Sequence, residues 1–84
     1  MDEKRYVYRM IGYKNGMSKH WLEGLSEQEM SETLAMWKIK PEVDRIDVEK
    51  FLASDPAKCH SRDVWTLSNM RWHKYHFYVG EDEQ

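Results

Sequence analysis

Apolar residues dominate residues 5–13, RYVYRMIGY, a run rich in aromatic and β-branched types with Arg5 and Arg9 as its charged positions. That is the composition of a strand apolar on both sides. Asn15-Gly16 follows, and after it MSKHWL. Asn-Gly readily takes the two positive φ angles of a type I′ turn, so the pattern predicts a hairpin of about 5–14 and 17–22. A two-residue turn sets Met10 opposite Trp21 and Ile11 opposite His20. Tyr6, Tyr8, Met10 and Trp21 then share one side, and Val7, Arg9, Ile11, His20 and Leu22 the other.

The period changes after Ser26. Ser26-Glu27-Gln28-Glu29 has the form of a capping box, in which the Ser26 hydroxyl accepts from the Glu29 amide and the Glu29 carboxylate accepts from the Ser26 amide. Met30, Leu34 and Trp37 give the helix one apolar stripe, acidic residues in its first turn suit the helix dipole, and Pro41 ends it near Ile39. A second, short helix is expected with Asp47 as N-cap and Ile46 and Phe51 as a hydrophobic staple, stopped by Ser54-Asp55-Pro56.

Residues 63–79, DVWTLSNMRWHKYHFYV, are again rich in aromatic and β-branched types and predict a second hairpin turning at Ser68-Asn69. Trp65 then faces Trp72 and Asp63 faces Lys74. A competing reading makes Ser61 the N-cap of a third helix running to about Met70. The fold expected from these elements is α+β: an antiparallel sheet of two β-hairpins, with one long and one short helix inserted between them and packed on one face, ββααββ.

Composition narrows the class. The chain of 84 residues, 40% hydrophobic and 13% aromatic, supports one small domain over residues 1–84, with the acidic end 81–84 frayed. No apolar run is long enough to span a bilayer and the start, MDEKRYVYRM, does not resemble a signal peptide, so a cytoplasmic protein without membrane contact is expected. The lone Cys59 makes no internal disulfide, in keeping with a reducing compartment. The net charge of −2 is unevenly spread: residues 1–22 and 56–79 are basic, and 23–55 and 81–83 acidic. With basic strands and acidic helices, the sheet is the basic side of the domain.

No arrangement of reactive side chains matches a catalytic motif. Cys59, His60, His73 and His76 are zinc-ligand types, but Cys59 and His60 are adjacent, and His73 and His76 point to opposite sides of one strand. Neither a glycine-rich phosphate loop nor a Gly-x-Ser-x-Gly elbow occurs, and Glu27, Glu29 and Glu32 are accounted for by capping and solvation. The sequence therefore predicts no enzyme, no cofactor and no metal. A faint helix-turn-helix echo in LAMWKIKPEVDRI would present Glu42, Asp44, Asp47 and Glu49 to a duplex, which repels it.

What remains is a sheet apolar on both faces, with Val64, Tyr75, Phe77 and Val79 on one side and Trp65, Leu67, Met70, Trp72 and Tyr78 on the other. Two helices cover one face, and an uncovered aromatic face marks an interaction site. With the stripe of Met30, Leu34 and Trp37 on the Val64 side, the expected partner-binding residues are Trp65, Trp72, Lys74 and Tyr78. The reading is a non-enzymatic module that regulates or inhibits a partner protein by occupying its surface, as a homodimer or in a heteromeric complex. The small size and the Met and Trp content suit a phage or mobile-element protein that blocks a host factor. The alternative is a single-stranded nucleic-acid binder using Arg9, Lys19, Arg71 and Lys74 among aromatic residues on the sheet.

Overall fold

The computed structural model describes residues 5–78, apart from the side chain of Pro56; Val79 and the acidic stretch 81–84 lie outside the described residues. Strands β1 (Tyr6–Lys14) and β2 (Met17–Leu25) are followed by helix α1 (Glu27–Lys38) and by strands β3 (Arg45–Leu52), β4 (Asp55–Ser68) and β5 (Arg71–Tyr78). They form one five-stranded antiparallel sheet in the order β2-β1-β3-β4-β5. β2 and β3 both pair with β1, so α1 is the crossover that carries the chain from the β2 edge over β1 to the centre of the sheet.

The architecture is thus ββαβββ with a single helix, not the two-helix ββααββ arrangement expected above. The segment expected to be a second helix is the central strand β3. Ile46 and Val48 alternate with Asp47 and Glu49, so the apolar pair drops beneath α1 and the acids project from the other face. Asp47 caps nothing. Its carboxylate accepts from Arg45 Nε and Nη2 at 2.8 and 3.0 Å, while Glu49 accepts from Arg9 Nε at 2.6 Å. Those two pairings neutralise the acids that a strand would otherwise leave buried and uncompensated. The alternative third helix from Ser61 is likewise part of a strand, β4.

Local chemistry sets the other boundaries. Asn15 and Gly16 have φ of 54° and 82°, the left-handed pair of a type I′ turn. Ser26 Oγ accepts from the Glu29 amide at 3.1 Å, and Glu29 Oε1 accepts from the Ser26 amide at 2.9 Å. The second hairpin turns at Asn69-Met70, with φ of 54° and 61°, one residue later than expected. Trp65 therefore faces Lys74, and Asp63 faces His76. In the first hairpin Lys19 has no partner in β1, and beyond that bulge Ile11 faces Trp21 and Met10 faces Leu22. The bulge moves Trp21 off the Met10 side.

The core lies between α1 and the β1–β3 half of the sheet. Met10, Val43 and Ile46 are fully buried, with Tyr8, Trp37 and Val48 around them. Trp37 sits over Gly12, where an added Cβ would meet its ring at 3.3 Å. A side chain there would press on the indole, which would have to give by a few tenths of an ångström. Burial beneath α1 also raises the Tyr8 phenol above its ordinary pKa, helped by the nearby charge of Glu27.

Candidate functional site

α1 covers one face of the sheet, and the opposite face carries no element among the described residues. Cross-strand register defines that open face row by row. Ile11, Asp47, Val64 and Tyr75 form one row, with Trp21 at its β2 end. Arg9, Glu49, Arg62 and Phe77 form the next. The middle of this face closes over itself: Arg9 stacks against Phe51 and Trp21, its guanidinium 5.0 and 5.7 Å from the ring centres. Ile11, Asp47 and Phe51 are buried as a result. Long side chains with apolar stems here replace a second layer.

The ends of the rows are different. Tyr75 is 52% exposed and Phe77 48%, and half-buried Val64 lies beside them on β4. Arg62, between Glu49 and Phe77, has a buried Nε with no hydrogen-bond partner among the described residues. Glu49 is engaged by Arg9, so the open face holds a cation whose desolvated N–H lacks an acceptor. A hollow of about 210 Å³ lined by Val7, Tyr8, Arg9, Glu23, Gly24 and Phe51 lies toward β2. It is smaller than the roughly 300 Å³ at which small-molecule sites begin.

The expected partner-binding residues lie on the helix-covered side, the reverse of the expected face assignment. Trp65 and Trp72 extend the core past the end of α1. Trp72 Nε1 donates to the Lys38 carbonyl at 3.1 Å, and the Lys38 ammonium stands 3.6 Å from the Trp65 ring centre. Burial, and then repulsion from Lys74, lower the Lys38 pKa. Lys74 approaches Trp65 at 5.5 Å and Asp63 at 3.8 Å. Tyr78 reaches past the cover of the helix, 70% exposed, with the rings of His60 and His76 edge-on against it. The set therefore divides into two structural tryptophans and two exposed residues of β5.

The nucleic-acid set is not brought together. Arg9 is on the open face and paired with Glu49, Lys19 is the bulged residue of the β2 edge, and Arg71 and Lys74 are on β5, at the opposite edge and on opposite faces. Cys59 and His73 lie on the open face, whereas His76 lies on the other, bonded through Nδ1 to Asp63. Burial raises the Cys59 pKa, and its thiol donates to the Ser61 carbonyl at 3.3 Å. No group of three or more metal-ligating side chains occurs among the described residues, and none of their helices is long and apolar enough to cross a membrane.

Sequence reasoning puts Val64, Tyr75 and Phe77 on the helix-covered side, keeps the side of Arg71, His73, Tyr75 and Phe77 as the interface if the sheet is reversed, and makes no use of Arg62. The signal was available in the parity of β4, where Arg62, Val64 and Thr66 alternate with Asp63, Trp65 and Leu67. It needed the position of α1 to say which parity faces solvent. No protein-family model matches the chain, and neither curated proteins nor solved structures give a match.

Proposed function

We propose that the chain is a non-enzymatic protein-interaction module that regulates or inhibits a partner protein by occupying its surface, using the open face of β4 and β5. The observation that carries this reading is the apolar group of Val64, Tyr75 and Phe77 on a face that no described element covers. Exposed aromatic clusters of this kind mark interaction sites, and aromatic residues and Arg are the types enriched at interface centres. Arg62 stands in the same row as Phe77 and adds a guanidinium to the edge of this aromatic group. A phage or mobile-element protein blocking a host factor remains the setting that suits the size and composition. Single-stranded nucleic-acid binding has less support, because its four cations are spread over both faces and both edges.

The test is affinity capture from lysate of the cells that produce the protein, comparing wild type with the double variant Tyr75→Ala, Phe77→Ala. The variant is expected to keep its melting temperature within a few degrees and to weaken capture at least about tenfold, as loss of an aromatic hot spot does. Undiminished capture, or collapse of the fold, refutes the assignment.

A further inference from the structure

The two edges of the sheet are built differently. β2 is interrupted twice, by the unpaired Lys19 and by a second register shift at Glu23-Gly24, where Gly24 has φ of 70°. Such bulges twist an edge away from further pairing. β5 has neither bulge nor proline: its eight residues pair with β4 without a register shift, seven of the eight are exposed, and its cations Arg71 and Lys74 guard it against a like-charged strand. Among the described residues its outer side has no strand partner, so it presents a row of backbone donors and acceptors.

We propose that this edge accepts an acidic, extended segment of a partner protein as a sixth strand. Charge identifies the occupant. RWHKYHFY holds Arg71, Lys74 and two histidines and no acid. On the helix side only Asp63 offsets Lys74, and Lys38 stands against the same Trp65 ring. Asp63 must also serve His76. A second copy of β5 laid antiparallel would place Lys74 against Lys74 when the two strands are centred on that residue, and β5 brings no carboxylate of its own to relieve the pair. Like charges opposite one another destabilise strand pairs and unlike charges stabilise them. The complement is a strand with acids on the side of Lys74 and His76 and apolar residues on the side of Tyr75 and Phe77. Backbone bonds then supply affinity and alternate side chains specificity.

This inference rests on the reading of the chain as a protein-interaction module, and peptides test it separately. The probe is a peptide of about ten residues alternating Glu and Val, titrated beside its Lys/Val counterpart with hydrogen exchange followed on the protein. The Glu/Val peptide should bind at least about tenfold more tightly than the Lys/Val peptide and should protect alternate amides of β5. Lys74→Glu should reverse the preference. N-methylation of alternate peptide residues should abolish binding in one phase and leave it in the other, since only one edge of the added strand pairs. Equal binding of both peptides, no binding by either, or protection elsewhere overturns the inference. So does protection of β5 without peptide in a sedimenting dimer, which makes a second copy the occupant. If the peptides fail while Tyr75→Ala, Phe77→Ala still abolishes partner capture, the edge inference falls and the open-face reading stands.

Discussion

The β1–β3 half of the sheet and the β4–β5 wing are made of similar residues and placed under different obligations. In the first, Met10 and Ile46 are fully buried beneath α1, and on the open side of the same strands Arg9 stacks over Phe51 and Trp21, burying Ile11, Asp47 and Phe51 although Trp21 itself stays 55% exposed. In the second, Trp65 and Trp72 reach the end of the helix, but Tyr75, Phe77 and Tyr78 stand in solvent. Lys38, the last residue of α1, meets Trp65 and Trp72, so the cover of the helix ends there. Stability is concentrated where the helix reaches, and the wing is left with aromatic surface available for binding.

The largest effect that can break this division is at Ile46. Ile46→Ala removes a fully buried side chain and should cost about 3 kcal/mol, a transfer loss plus a cavity. Phe77→Ala, on the wing, should cost under about 1 kcal/mol, as exposed substitutions do. Urea denaturation of the pair measures both. Equal losses would mean that the wing is as much a part of the core as β3.

Legibility in the sequence follows the range of the interactions. Asn15-Gly16 and the Ser26–Glu29 box could be read because their chemistry closes within four residues, and the structure has both. β3 could not, since Ile46 and Phe51 satisfy a helical staple as well as a strand. What decides is that Arg9, on another strand, is there to meet Glu49. The Lys19 bulge lies in a segment with no glycine or proline to announce it. The turn of β4–β5 was displaced by one residue because neither Ser68-Asn69 nor Asn69-Met70 contains glycine. That displacement moves the register by two, so Trp65, Trp72 and Lys74 kept their common face. Which face was covered depended on the path of α1, and no local pattern encodes it.

The two hairpin turns sharpen the comparison further. At Gly16 an added side chain would meet nothing within 4 Å, and φ is +82°, so Gly16→Val tests backbone conformation alone. It should cost about 2 kcal/mol, the upper end of the penalty for a side chain in left-handed backbone. An unchanged melting temperature would exclude the type I′ turn. Next in size, Ser26→Ala removes one half of the capping box and should cost about 1 kcal/mol. Chemical denaturation without loss would mean that the Ser26 hydroxyl adds nothing to α1.

The smallest effect runs in the opposite direction. Met70 holds φ at 61° and is 94% exposed, so it occupies left-handed backbone without any burial to compensate. Replacing it with glycine removes a steric penalty of about 1–2 kcal/mol, against which the greater freedom of glycine in the unfolded chain returns about 0.5–1 kcal/mol. Met70→Gly should therefore stabilise the protein by about 0.5–1 kcal/mol, a rise in melting temperature of about 2–8 °C for a domain of this size. A fall in melting temperature would show that Asn69-Met70 is not a type I′ turn. If the variant is more stable and partner capture weakens, the exposed thioether at the tip of the wing is itself a contact, of the adaptable kind that methionine makes at binding surfaces. If capture is unchanged, the interface is confined to the flank formed by Arg62, Val64, Tyr75 and Phe77, and the tip is a strained turn with no binding role.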